Sequence, residues 1–301
     1  MTVCGISGLH LRDPGLHPQL GSLLGGMLGQ AAERGTDAAG VGLYGDQALT
    51  PPGTATVSVL DAPVDVPELA ARIGALPGVG GASARSGGST TTVTAACDVD
   101  RLEAAVREVL PDVVVSGRGT QLVVLKGTGH PDGLATSFGL ADATGWQGLA
   151  HTRMATESAV TSSGSHPYSV GPDQCLVHNG SFANHATVRR ELRAEGVVFD
   201  SENDSEVGAR FLAHELAQDA DLERALHRLC DRFDGFYTLL VTTGDSFAVV
   251  RDAIACKPAI VAETDQWVAM ASEYRYLAGL PGVEDARLFE PEPEEIHLWH
   301  R

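Results

Sequence analysis

A cysteine near an amino terminus can act as nucleophile and base within one residue. Its thiolate attacks a carbonyl while its α-amine, with an ordinary pKa of about 7.7–8.0, accepts and returns the proton. Cys4, followed by Gly5-Ile6-Ser7-Gly8, stands almost at the front of this chain. Met1, Thr2 and Val3 precede it, so as written its nitrogen is an amide. Chemistry of this kind requires those residues to be removed, or translation to start nearer Cys4. Taken alone, a cysteine in an apolar setting reads more simply as a small buried side chain.

Four further segments bring complementary groups. Arg34-Gly35-Thr36-Asp37-Ala38-Ala39-Gly40 has the basic-glycine pair of an ordinary helix end. His151-Thr152-Arg153-Met154-Ala155-Thr156 offers a guanidinium that can clamp a carboxylate through two parallel hydrogen bonds, although an isolated arginine more often makes a surface ion pair. His178-Asn179-Gly180 sets a side-chain amide beside an unobstructed backbone N–H, two neutral donors suited to an oxyanion hole. Asn-Gly alone would be read as a turn between strands. Asn203-Asp204-Ser205-Glu206 precedes an apolar-periodic stretch, where Asp204 or Ser205 caps a helix or a carboxylate holds an ammonium. Between these lies His166-Pro167-Tyr168, a turn whose histidine suits pocket lining better than proton transfer. A nucleophile, an oxyanion hole and clamps for a carboxylate and an ammonium together describe glutamine as substrate.

Elements must carry these groups to one place. Leu20, Leu23, Leu24, Met27, Leu28 and Ala31 share one face of a helix over 19–33, which four internal glycines weaken unless packing holds it. Shorter helical patterns cover 101–109 and the stretch from Leu222 to Leu229. Strand-like runs occupy Thr54–Leu60, Val113–Val115, Leu122–Leu125, Tyr237–Thr242, Phe247–Val250, Ala259–Val261 and Trp267–Met270, with Thr243-Gly244-Asp245-Ser246 as a hairpin tip. Residues 74–96, rich in Gly, Ala, Ser and Thr, read as loop or weak strand. Hairpin-like succession of strands points to an α+β architecture rather than βαβ units. A single domain spanning 1–301, elaborated across about 55–145, is expected. Lys126 and His130 lie in that elaboration without a legible chemical role, surface or partner contact being the default.

Composition narrows the function classes. The net charge of −18 disfavours nucleic acid and anionic membrane surfaces as partners. No apolar run reaches the ~18 residues of a membrane span, and no secretion signal opens the chain. Five cysteines without a C-x-x-C pair argue against a zinc cage or disulfide framework and suit a reducing cytoplasm.

In order and content, Cys-Gly-Ile-Ser-Gly, Arg-Gly-Thr-Asp-Ala-Ala-Gly, His-Thr-Arg-Met-Ala-Thr, His-Asn-Gly and Asp-Ser-Glu resemble the class II glutamine amidotransferase domain. The likeness continues through Asp234-Gly235-Phe236-Tyr237, Arg251-Asp252, Lys257-Pro258 and Ser272-Glu273. Within the family the chain is most similar to stand-alone amidotransferase-like subunits related to glutamate synthase and N-methylglutamate synthase. The resemblance implies a four-layer αββα fold of the N-terminal-nucleophile hydrolase type, with two mainly antiparallel sheets. It implies Cys4 as nucleophile, Asn179 and Gly180 as oxyanion hole, Arg153 on the glutamine α-carboxylate and Asp204 on its α-amine. Arg34, Thr156 and His166 fall in pocket motifs.

No metal or organic cofactor is implied. With the chain ending soon after Trp299, a separate synthase subunit is expected to receive ammonia or the glutamyl group. The rival expectation is a non-catalytic glutamine- or glutamate-binding subunit of such a complex, favoured by the three residues before Cys4. An amidase for another γ-amide, such as a methylated glutamine, is a third.

Overall fold

The computed structural model describes residues 4–154, 160–218 and 221–301. In chain order, its first elements are β1 (Gly5–Leu11), α1 (Leu20–Ala31), β2 (Ala38–Tyr44), β3 (Ala55–Leu60), α2 (Val66–Gly74), β4 (Gly80–Gly87), β5 (Thr90–Ala96) and α3 (Val99–Val109). There follow β6 (Val114–Gly119), β7 (Leu122–Thr128), α4 (Pro131–Phe138), β8 (Gln147–Arg153), β9 (Cys175–Phe182), α5 (His185–Ala194), α6 (Asp204–Ala217) and α7 (Leu222–Arg232). The last are β10 (Gly235–Thr242), β11 (Ser246–Arg251), β12 (Ile260–Glu263), β13 (Trp267–Ala271), β14 (Arg287–Phe289) and β15 (Ile296–His300).

Strand parity builds the layers. Along β1, Leu9 and Leu11 join the core beneath α1, whereas Ile6 joins the core between two sheets. On β7, Val123 and Leu125 face α1, and Leu122 and Val124 face the second sheet. Such strands are buried on both faces, so they read as continuous apolar runs rather than alternation. The larger sheet runs β14-β12-β13-β1-β8-β2-β7 and the smaller β15-β11-β10-β9. Residues of α5, α6 and α7 cover the outer face of the smaller sheet through Val188, Leu192, Val207, Leu212, Leu226 and Leu229. The result is the expected αββα order, and all the strand pairings described are antiparallel.

Tertiary packing explains one of the glycines of α1, Gly21. A Cβ on Gly21 would lie 1.9 Å from the Leu140 carbonyl oxygen, so glycine permits a contact that offsets its poor helix propensity. The hairpin tip is as expected: Thr243 N–H donates to the Ser246 carbonyl (2.9 Å) between β10 and β11.

The region expected as an elaboration across about 55–145 divides in two. Residues 55–119 form a third sheet, β4-β5-β3-β6, with α2 and α3 packed on a core that includes Val57, Val93, Leu69, Ile73, Leu102 and Val106. From Leu122 the chain returns to the larger sheet as β7. Residues 74–96, read as loop or weak strand, contain β4 and β5. In β5 the run Thr90-Thr91-Thr92-Val93-Thr94 supplies the β-branched side chains that favour a pleated surface. β4 is the exposed edge, which is why small and polar residues suffice there.

Candidate active site

The amino end of β1 is pinned by bonds to distant strands. Gly5 N–H donates to Thr152 Oγ1 (3.2 Å), and that hydroxyl donates to the Ala31 carbonyl (3.1 Å). Ile6 N–H donates to Ser272 Oγ (3.0 Å). A Cβ on Gly5 would stand 2.7 Å from Thr152 Oγ1, so the residue after Cys4 must be small for this junction to close. Cys4 is thereby held, half-buried, in the wall of a cleft of about 280 Å³.

Asn179, Gly180, Arg153, Asp204 and His166 line the same cleft. Asn179 and Gly180 do not form a turn. They lie within β9, paired with Thr238 and Tyr237 of β10. The Asn179 side-chain amide donates to the Cys4 carbonyl (3.3 Å). Gly180 has φ +146°, and a Cβ there would sit 2.0 Å from the Phe236 carbonyl oxygen, so only glycine fits.

Arg153 ends β8, and its Nη1 donates to the Gly164 carbonyl. Asp204 opens α6 but does not cap it. Asn203 does so, its side chain accepting from Ser205 N–H (2.9 Å), while Asp204 Oδ2 accepts from Phe182 N–H (2.9 Å). Asp204 therefore ties α6 to β9 with its carboxylate at the cleft.

Arg34 is not among the cleft-lining side chains; its guanidinium pairs with Glu273 at 2.7 Å. Thr156 lies outside the described residues, as do the three residues before Cys4.

Electrostatics of the cleft are set by burial. It pushes the Cys4 thiol up from its ordinary value, against a backbone hydrogen bond at Met154 and the positive charges of Arg153, Lys257 and Arg34. Burial likewise drives His151 down to about 3 and His178 down to about 4, and it drives His166 well below the ordinary imidazole value. The His151 and His166 rings stack with centroids 4.1 Å apart, and His178 Nδ1 bonds Ser205 Oγ at 2.8 Å. At neutral pH these three rings are uncharged, so they contribute shape and neutral polarity rather than a cationic floor.

Lys257 and His151 escaped the sequence reading as site residues. Both sat inside recognised motifs, Lys257-Pro258 and His151-Thr152-Arg153, but nothing local aimed them at Cys4. Lys257 lines the cleft with its ammonium over the Phe236 ring, 5.4 Å from the centroid. Among the described residues, no group of three or more His, Cys, Asp or Glu could hold a metal ion, and no helix is long and apolar enough to cross a membrane.

The chain is 44% identical over 301 residues to the glutamine amidotransferase-like protein GlxB of Rhizobium meliloti (strain 1021), covering 99% of this chain and 98% of that protein. It belongs to the class II glutamine amidotransferase family. The family described as "Glutamine amidotransferase domain" matches residues 151–279, the span from β8 through Asn179 and Asp204 to the segment after β13. A putative glutamine amidotransferase of Methanothermobacter thermautotrophicus is 27% identical over 290 residues, 90% of this chain and 92% of that one. Among solved structures, the glutamine phosphoribosylpyrophosphate amidotransferase from B. subtilis superposes with a TM-score of 0.62 at 16% identity. It matches 98% of this chain, which spans 47% of that longer one. That likeness shows the amidotransferase fold of the N-terminal-nucleophile type and no more.

Proposed function

We propose that this amidotransferase hydrolyses the side-chain amide of glutamine at Cys4. The observation that carries the reading is convergence: β1, β8, β9 and α6 bring Cys4, Arg153, Asn179-Gly180 and Asp204 to one cleft. In this reading Arg153 holds the α-carboxylate and Asp204 the α-ammonium, leaving the side-chain carbonyl to Cys4. Attack of the thiolate forms the C–S bond and places negative charge on the amide oxygen, which the Asn179 amide and the Gly180 N–H stabilise. Collapse breaks the C–N bond; the proton taken from the thiol goes to the leaving nitrogen, and ammonia departs. Water then cleaves the thioester to glutamate and restores the thiol.

The proton carrier is the Cys4 α-amine, so the proposal includes removal of Met1, Thr2 and Val3 or a start closer to Cys4. Burial raises the thiol pKa, which makes an adjacent base more necessary. The proposal extends to release of the nitrogen to a separate acceptor-processing subunit, tested by whether ammonia release from glutamine changes when that partner is present.

A second reading, a subunit that binds glutamine or glutamate without cleaving it, is favoured by the residues preceding Cys4. Against it stands the Asn179-Gly180 pair at the cleft beside Cys4, since an oxyanion hole benefits charge that develops only during reaction. The deciding experiment pairs the amino-terminal sequence and intact mass of the protein from its native cells with ammonia release from glutamine. A chain beginning at Cys4 that releases ammonia supports the hydrolase. A chain beginning at Met1 or Thr2 that releases none, alone or with its partner, supports the binding subunit.

A further inference from the structure

Lys126 is buried, only 2% exposed, and it is absent from the cleft lining. Surface or partner contact, its default reading from sequence, is therefore excluded. An ammonium in such a place is costly unless its donors are satisfied. Burial lowers its pKa to about 8, which leaves it mostly protonated at neutral pH. Its partners are specific. Nζ donates to the Ser165 carbonyl (2.8 Å) and the Pro167 carbonyl (3.2 Å), and it stands over the Tyr168 ring, 4.8 Å from the centroid.

Sheet register brings the lysine there. Lys126 of β7 pairs with Gly40 of β2, which pairs with His151 of β8. A Cβ on Gly40 would lie 2.2 Å from the His166 carbonyl oxygen and 2.6 Å from Lys126 Cβ, so glycine opens the gap between them. From the third sheet, Thr90 Oγ1 accepts from Lys126 N–H (2.9 Å) and donates to the Lys126 carbonyl (2.9 Å). On the far side, Gly164 directly precedes the clamped segment, and its carbonyl accepts from Arg153 Nη1.

We propose that Lys126 is a positioning residue: by clamping the Ser165 and Pro167 carbonyls it fixes the Gly164 carbonyl that orients the Arg153 guanidinium for a substrate α-carboxylate. The inference rests on the reading of Arg153 given above.

The test uses the full chain as wild type, Lys126→Met, Lys126→Gln and Thr90→Val. Glutamate binding is measured by calorimetry, glutamine KM and kcat by ammonia release, and amide exchange over residues 164–168 by mass spectrometry. Lys126→Met should raise the glutamate Kd and glutamine KM by about tenfold while kcat stays within about threefold, and should speed exchange in that segment. Lys126→Gln, which retains donors, should recover part of the binding. Thr90→Val should lower Tm yet leave Kd and KM within about twofold, because the ammonium clamp remains.

Unchanged binding and exchange in Lys126→Met would overturn the inference. So would an equal rise in KM for Thr90→Val, which would assign the effect to stability alone. If Lys126→Met does not fold, Lys126→Gln takes its place with the same criteria. A wild type that binds neither glutamate nor glutamine refutes the proposed function, while the exchange comparison still decides the clamp.

Discussion

The side-chain amide of Asn179 reaches back 175 positions to donate to the carbonyl of Cys4 at 3.3 Å. One bond thus joins the edge strand β9 of the smaller sheet to the amino end of β1 in the larger. It sets the proposed oxyanion donor against the proposed nucleophile while the second donor, Gly180, follows in the same strand.

If that pairing serves transition-state charge, Asn179→Ala should lower kcat for ammonia release by about 10²–10³ with glutamine KM little changed. Steady-state kinetics decide it. A rise in KM with kcat preserved would assign Asn179 to ground-state binding.

Gly180→Ala should be worse for both folding and turnover. Its φ of +146° disfavours any side chain, and the new Cβ would meet the Phe236 carbonyl at 2.0 Å. Backbone strain of this kind costs on the order of 1–3 kcal/mol, to be read from urea melts beside the lost activity. A variant as stable and active as wild type would show that β9 and β10 can separate freely here.

Cys4→Ser should abolish detectable ammonia release yet bind glutamine within a few-fold of wild type, as calorimetry would show. Arg153→Lys should do the reverse. Its single ammonium cannot make two parallel bonds to a carboxylate, so KM should rise by about tenfold or more. Wild-type turnover in Cys4→Ser would remove Cys4 as nucleophile.

Acid should destabilise the protein through the buried imidazoles. His151 and His178 titrate at about 3 and about 4 in the folded chain, and His166 also lies well below the ordinary value. Between about pH 6.5 and those values the unfolded chain binds protons that the folded chain refuses. Stability therefore falls as pH drops from 6.5 towards 4, by up to about 1.4 kcal/mol per pH unit for each histidine. Urea denaturation from pH 7 to 5 should show this slope, reduced by one proton in His151→Gln. An unaltered slope in that variant would mean His151 is protonated in the fold.

Much of the candidate site was legible in the chain itself, because residue type and local spacing encode it. The order of Cys4, Arg153, Asn179-Gly180 and Asp204 named groups that line one cleft and are proposed to react. The 3.6-residue pattern of Leu20, Leu24, Met27 and Leu28 marked α1, and Thr243–Ser246 marked a hairpin. Strand register and burial, which act between residues far apart in sequence, decided the rest. They set Asn179-Gly180 inside a strand rather than a turn, and they gave the α6 cap to Asn203 so that Asp204 could bond β9. They turned the glycine- and threonine-rich 80–96 stretch into two strands of a separate sheet, and directed Arg34 to Glu273. They also buried Lys126 against the Ser165 and Pro167 carbonyls and stacked His151 on His166 in neutral form. No local pattern announces such contacts, since each depends on which strands become neighbours and on how much water that neighbourhood excludes.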